Sequence, residues 1–105
     1  MNICVYCASS DAVAPAYFRA AETLGQMIAQ RGDTLVYGGA GIGLMGALAR
    51  AVKAGGGHVI GVMPQVLAAE SITFALLDEL VITDNMRERK ARMEALADAF
   101  LVLPG

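Results

Sequence analysis

The sequence predicts an α/β domain with a doubly wound parallel sheet of about five strands. Short apolar runs alternate along the chain with longer segments of helical periodicity, which is the pattern of strands and helices in such a sheet. A glycine-rich turn joins the second apolar run to the second helical segment. The 105 residues, 56% of them hydrophobic, fit one domain over residues 1–105 with a core that needs no disulfide.

The predicted elements follow one another in regular order. The first helix begins near Pro15, which suits a first helical turn, and it stops at Gly32. Helices are also predicted over residues 41–54 and 85–97. Strands are predicted over residues 3–7, 34–37, 58–63, 80–83 and 100–103. We expect the strand order 4-3-2-1-5, and the sequence argument bears mainly on its 3-2-1 portion.

The composition excludes several classes of protein. Eight Lys and Arg residues against ten Asp and Glu give a net charge of −2, which argues against nucleic acid as a partner, and the apolar content excludes a disordered chain. A long uncharged run, residues 55–69, is broken by polar residues and is shorter than the about 20 apolar residues of a membrane span. The N-terminus lacks the basic start of a secretory signal, so we expect a cytoplasmic protein with no membrane partner.

The last predicted strand is followed at once by the turn signal of Pro104 and Gly105. In a doubly wound sheet a loop and a helix follow each strand at the edge where ligands bind. The sequence therefore predicts a domain that is incomplete at its C-terminal end, with the fifth strand as a bare apolar edge.

The glycine-rich turn reads G-x-G-x-x-G at Gly41, Gly43 and Gly46, between a predicted strand and a predicted helix. Glycines let the backbone approach an anion closely, and the first turn of the following helix points its N–H groups at that anion. Residues 34–69 contain no Asp or Glu, which also favours a phosphate or phosphosugar. We therefore predict Gly39, Gly41 and Gly43 as substrate contacts. The alternative is close packing of strand and helix alone.

This turn lacks the features of two common nucleotide sites. A dinucleotide-binding domain places an acidic residue about 20 residues further on to hold the ribose, but the first acid after this turn is Glu70, beyond the next strand. A P-loop would continue with Gly-Lys-Ser/Thr, which is missing. A mononucleotide is therefore favoured over NAD, and no cofactor is predicted.

One arginine of the last predicted helix lies on its apolar side. On a helical wheel of about 100° per residue, Arg89 falls between Met93 and Leu96, whereas Arg87 points away from that arc and Lys90 lies at its edge. Because a buried arginine is costly without an anionic partner, Arg89 is predicted to bind a phosphate or a ribose. The alternatives are a side chain that reaches the solvent rim or one that pairs with a structural carboxylate.

Other reactive residue types carry less weight. Cys4 and Cys7 lie three apart on a strand, so their sulfurs face opposite sides and inert thiols are expected. His58, the only histidine, begins a strand at the edge opposite the ligand end, which disfavours a Ser-His or Cys-His mechanism. No metal site is predicted. Ser9 and Ser10 follow the first strand and are predicted substrate contacts, with a role in the turn as the alternative.

Taken together, these motifs resemble the Lonely Guy family, the cytokinin riboside 5′-monophosphate phosphoribohydrolases, which also carry a lysine decarboxylase label. The resemblance covers nearly all 105 residues. It rests on C-A-S-S at residues 7–10, where the family has C-G-S-S, and on Y-G-G-A-G-I-G-L-M-G at residues 37–46. It continues with G-V-M-P at 61–64, with M-R-E-R-K at 86–90 against the family's M-H-x-R-K, and with D-A-F at 98–100.

The resemblance implies roles for several residues. Arg89 matches the family's catalytic arginine and Lys90 its neighbouring substrate contact, while Met86 of the same motif is a predicted substrate contact. Arg87 stands where the family usually has histidine. The family continues with P-G-G-x-G-T-x-x-E, whose glycines and Thr hold the phosphate and whose Glu is catalytic. This sequence supplies only the Pro and the first Gly of that motif, as Pro104 and Gly105. Gly105 is a predicted substrate contact. Because the catalytic Glu is not among residues 1–105, these residues alone are expected to be inactive.

The implied reaction is hydrolysis of the N-glycosidic bond of adenosine-type nucleoside 5′-monophosphates, which releases the base and ribose 5-phosphate. The resemblance also implies a homodimer and a Rossmann-like fold. A decarboxylase that uses pyridoxal phosphate would need a Schiff-base lysine, and neither Lys53 nor Lys90 has the surroundings of one. The alternative is a non-catalytic nucleotide- or molybdopterin-binding carrier on the same fold. A DNA-binding relative is disfavoured by the acidic composition.

Overall fold

Five parallel strands form one sheet, and helices cover both of its faces. The computed structural model describes residues 1–10 and 12–103. Its strands are β1 (Asn2–Tyr6), β2 (Thr34–Tyr37), β3 (His58–Pro64), β4 (Glu79–Thr83) and β5 (Ala99–Val102), and its helices are α1 (Pro15–Gln30), α2 (Gly43–Ala54), α3 (Gln65–Ala68) and α4 (Met86–Leu96). The strand order is β4-β3-β2-β1-β5 with every pair parallel, which confirms the predicted order and the α/β class.

Two apolar clusters lie on opposite faces of the sheet, because successive side chains of a strand point to opposite sides. On one face α1 and α2 pack against each other and against strand residues such as Val5 and Leu35. On the other face Met93 of α4 packs against Cys4 and Val36. The central strands are therefore covered on both sides, which is why they read as continuous apolar runs rather than alternating ones.

The glycine-rich turn differs from its predicted form. The sequence pattern starts the second helix at residue 41, but α2 begins at Gly43, because the preceding residues pair with the segment before β4. The Gly41 amide donates to the Ile72 carbonyl at 2.7 Å. The short helix α3 is not predicted either, since four residues are too few to show a helical period.

The outer strand β5 carries exposed apolar side chains. Phe100 is 50% and Val102 is 74% exposed, as expected of a bare sheet edge.

The two cysteines lie on opposite faces of the sheet, as predicted: Cys4 is buried in the cluster under α4, whereas Cys7 packs against the cluster on the other face. Within residues 1–10 and 12–103, no helix combines the length and apolar character that crossing a bilayer requires.

Charged side chains join β3 and β4 at the amino ends of the strands. The Asp78 carboxylate accepts from the Val59 amide at 2.7 Å and from Lys53 Nζ at 3.0 Å. These interactions lower the pKa of Asp78 below its usual value, the backbone hydrogen bond most strongly. His58 lies beside them, with Nε2 at 3.0 Å from Glu79 Oε2. The only histidine therefore lies at the predicted edge, opposite the carboxyl ends of the strands.

Two glycines with positive φ allow backbone strain to be separated from steric overlap. At Gly32 (φ 72°) a β-carbon would meet no atom within 4 Å, whereas at Gly43 (φ 60°) it would overlap the backbone of Ser9. We expect Gly32→Ala to lower the free energy of unfolding by about 1 kcal/mol and Gly43→Ala to lower it by about 2–4 kcal/mol. Urea denaturation of both variants measures the difference. Equal losses would contradict the close packing of the Ser9 loop on α2.

Candidate functional site

A cavity of about 550 Å³ opens at the carboxyl ends of the central strands. Open α/β sheets bind ligands at this edge, and the volume suits a small molecule of nucleotide size. Its lining comes from the ends of β1 and β2, from α2 and from the first turns of α4: Val5, Tyr6, Cys7, Gly38, Met45, Met86, Arg87, Arg89, Lys90 and Met93.

The Arg89 guanidinium bridges the carboxyl ends of two strands. Its Nε donates to the Val62 carbonyl of β3 at 2.8 Å, and its Nη2 donates to the Gly38 carbonyl after β2 at 2.6 Å. Nη1 lies 3.7 Å from the Met86 sulfur. The side chain is half-buried, and this burial lowers the pKa of Arg89 from its usual value. The helical wheel is therefore right that Arg89 points inward, but its partners are backbone carbonyls rather than a carboxylate.

Glycine at position 38 is what allows this bridge. A β-carbon there would overlap both the Arg89 guanidinium and the Met45 side chain. The bridge also has a chemical consequence, because two of the five N–H donors of the guanidinium are used on the protein itself. Within the described part of the chain, Nη1 makes only the weak contact with the Met86 sulfur.

Two polar side chains of the cavity have raised pKa values. Burial raises the pKa of the Cys7 thiol to about 11, so this thiol stays protonated near neutral pH. The pKa of Tyr6 is raised to about 12, first by burial and then by the neighbouring Cys4. The protonated Cys7 thiol agrees with the inert thiol that the sequence predicts.

The glycine-rich turn is held by bonds within the protein. The Tyr37 hydroxyl donates to the Ala40 carbonyl at 2.9 Å, and the Met45 amide in the first turn of α2 donates to the Ala8 carbonyl at 3.1 Å. The Gly41 amide donates to the Ile72 carbonyl, so the amides of residues 41 and 45 both already have acceptors. Close packing, the alternative interpretation of the turn, therefore accounts for much of its geometry.

Some predicted contacts lie away from the cavity lining. Gly39, Gly41 and Gly43 are not part of it, and Ser9 and Ser10 are not either. Ser10 Oγ accepts from the Ala12 amide at 3.0 Å, which fits the alternative role in the turn. The substrate contacts predicted for these five residues stay predictions. Gly105 lies outside the described residues.

The predicted residues Met86, Arg89 and Lys90 do come together in the lining. Arg87, which the helical wheel places away from the apolar arc, also lines the cavity. It is exposed and lies in the first turn of α4. The sequence feature that could have identified Arg87 as a lining residue is its place in the same short basic motif, M-R-E-R-K at residues 86–90.

The described cavity lining is cationic. The lining contains three cationic side chains and, within the described part of the chain, neither Asp nor Glu. In the same residues no group of three or more His, Cys, Asp or Glu side chains could hold a metal ion. The cavity is therefore suited to an anionic organic ligand.

Fold and cavity together define a Rossmann-like α/β protein with a cavity, lined in part by cationic side chains, at the carboxyl ends of its strands. A family model described as "Possible lysine decarboxylase" matches residues 45–105. Because this match covers more than half of the chain, the chain belongs to that family.

Relatives that carry LOG in their names confirm the resemblance to the Lonely Guy family. The chain is 46% identical over 104 residues to "Cytokinin riboside 5'-monophosphate phosphoribohydrolase LOG7" of Arabidopsis thaliana, covering 99% of this chain and 48% of that protein. It is 48% identical to "Cytokinin riboside 5'-monophosphate phosphoribohydrolase LOG" of Oryza sativa subsp. japonica, covering 99% of this chain and 43% of that protein. The chain thus spans about half the length of the curated relatives it matches.

A solved structure shares the fold. The molybdenum cofactor carrier protein of Chlamydomonas reinhardtii superimposes with a TM-score of 0.84 at 24% identity, covering 99% of this chain and 62% of that one. At this identity the likeness shows the Rossmann-like architecture alone.

The Arg89 bridge predicts that lysine is a poor substitute at this position. We expect Arg89→Lys to lower the free energy of unfolding by about 1–3 kcal/mol, because a single ammonium cannot donate to both carbonyls in the planar geometry of a guanidinium. Arg92→Lys is the matched control: Arg92 is exposed on the same helix and has no bonded partner among residues 1–10 and 12–103. Urea denaturation compares the two variants, and equal stabilities would argue against the bridge.

Proposed function

We propose that the protein hydrolyses the N-glycosidic bond of adenosine-type nucleoside 5′-monophosphates, including cytokinin nucleotides. In this reaction the bond between the anomeric carbon and the base nitrogen breaks. Water supplies the new hydroxyl, and the base leaves with a proton. The products are the free base and ribose 5-phosphate. The names of the relatives support this reaction class, and so does the anion-binding character of the cavity.

The observation that carries the proposal is the half-buried Arg89 guanidinium at the cavity wall. Cleavage of this bond passes through an oxocarbenium-like state, so catalysis depends on oriented polar groups around the sugar. The two backbone carbonyls fix the plane of the guanidinium before a ligand arrives. The Nη1 donors then anchor the ligand and polarise the reacting centre, while by the family resemblance the glycines and Thr of the P-G-G-x-G-T segment hold the phosphate.

A carboxylate is still needed to activate water or to stabilise the cationic sugar. The described cavity lining has none. By the family resemblance this carboxylate is the Glu of P-G-G-x-G-T-x-x-E, of which the sequence printed here contains only the first two residues. The proposal therefore assigns binding and orientation to residues 1–105 and water activation to that Glu. A homodimer and a cytoplasmic location belong to the same proposal through the resemblance.

A second candidate is a non-catalytic carrier of a nucleotide or of a molybdopterin. The same acid-free cavity favours it, because a site with cations and no carboxylate binds a phosphate without attacking the ligand. The fold shared with the molybdenum cofactor carrier protein is compatible with this candidate.

The test is a turnover assay on the full-length protein. With saturating AMP or N6-isopentenyl-AMP, we expect release of ribose 5-phosphate in a reducing-sugar assay. Arg89→Ala should lower the rate by about 100-fold or more, because it removes a preorganised cation from the reacting centre. Arg92→Ala should leave the rate unchanged.

Two results would decide against the hydrolase. No sugar phosphate from either nucleotide would exclude the reaction, and tight binding of AMP by calorimetry without turnover would then support the carrier. Loss of that binding in Arg89→Ala would show that the carrier uses the same cavity.

A further inference from the structure

Helix α4 carries Arg89, yet apolar packing does little to fix where this helix begins. Along its described length, Met86–Leu96, Met93 is the only buried residue, and the other side chains are exposed or half-buried. Met93 lies one turn after Arg89 and packs against the sheet in the middle of the helix. The position of the first turn therefore depends on the hydrogen bonds at the helix start.

A reciprocal pair of hydrogen bonds closes the junction between β4 and α4. The Asn85 side chain caps the helix, because its Oδ1 accepts from the Glu88 amide at 2.9 Å. The Glu88 carboxylate reaches back and accepts from the Asp84 amide at 3.0 Å. This arrangement resembles a capping box and ties the first turn of α4 to the residues that end the strand.

Thr83, the last residue of β4, connects this junction to Arg89. Its side chain is buried, and its hydroxyl donates to the Asn85 carbonyl at 3.1 Å. The same carbonyl accepts from the Arg89 backbone amide at 3.1 Å, as a capping residue does for the first bond of a helix. One carbonyl group thus links the end of β4 to the backbone of Arg89.

Arg89 is consequently held at both of its ends. Its amide is bound to Asn85, and its guanidinium is bound to the carbonyls of Val62 and Gly38. A shift of the first turn would pull the guanidinium away from those carbonyls. Because a misplacement of about 1 Å in a positioned group can lower a rate about 100-fold, bonds that fix the backbone of Arg89 affect the site from outside the cavity lining.

We propose that Thr83 and Asn85 are positioning residues, which fix the first turn of α4 and so hold the Arg89 guanidinium at the ends of β2 and β3. Neither residue lines the cavity. This inference rests on the proposed function only for its effect on the reaction rate. The effect on the mobility of Arg89 does not depend on which reaction the protein performs.

The experiment measures, in the full-length protein, the exchange of the Arg89 Nε–H with water by NMR and the turnover of AMP. Asn85→Ala removes the cap, so the Nε–H should exchange about fivefold faster. Turnover should fall about tenfold, because Arg89 is less well oriented. Asn85→Ser restores a capping oxygen and should return both values to within about twofold of the wild type. Thr83→Val, which keeps the shape of the side chain without its hydroxyl, should change both values in the same direction as Asn85→Ala.

Gly32→Ala is the matched control for a general loss of stability. Gly32 precedes β2 at the opposite edge of the sheet, and a β-carbon there would meet no atom within 4 Å. This variant should leave the Arg89 exchange and the turnover within about twofold of the wild type, because exchange of a half-buried side chain follows local opening.

Three results would overturn the inference. The first is equal exchange in Asn85→Ala and Gly32→Ala, the second is exchange in Asn85→Ser as fast as in Asn85→Ala, and the third is wild-type exchange and turnover in Asn85→Ala. If the wild type hydrolyses no AMP but exchange follows the expected pattern, the proposed function fails and the positioning role stands.

Discussion

The guanidinium of Arg89 is the interaction on which the cavity depends. A positive charge that is half-buried at the end of a sheet loses hydration, and the lowered pKa of Arg89 reflects that loss. Two backbone carbonyls offset it, one from the end of β3 and one from the turn after β2. The same contact restricts position 38 to glycine, since a β-carbon there would overlap the guanidinium. One hydrogen-bonded side chain thus fixes α4, two strand ends and the start of the glycine-rich turn relative to one another.

The two sides of the glycine-rich turn have different neighbours. On one side, the loop after β1 and the segment before β4 accept hydrogen bonds from the amides of Met45 and Gly41. On the other side, α4 places cations around a cavity whose remaining lining is largely apolar and contains several thioethers.

Much of this could be predicted from the sequence, and the exceptions have physical reasons. Short apolar runs locate the strands and a period of 3.6 residues locates the long helices, because burial on both faces of a sheet and on one side of a helix imposes these patterns on the chain. The helical wheel identifies Arg89 as inward-pointing for the same reason. It cannot identify the carbonyls that Arg89 reaches, since these lie 27 and 51 residues away in sequence. The pairing of Gly41 with Ile72 is a long-range contact without any local signal.

The most direct test of the account is an NMR measurement of the Arg89 side chain in the wild-type protein. The Nε–H of Arg89 should exchange with water much more slowly than that of the exposed Arg92, and its resonance should shift on addition of AMP, because the group is hydrogen-bonded to β3 at the wall of the site. Exchange as fast as that of Arg92, with no response to AMP, would show that the guanidinium does not bridge the strand ends, and would remove the basis for the cavity as a nucleotide site.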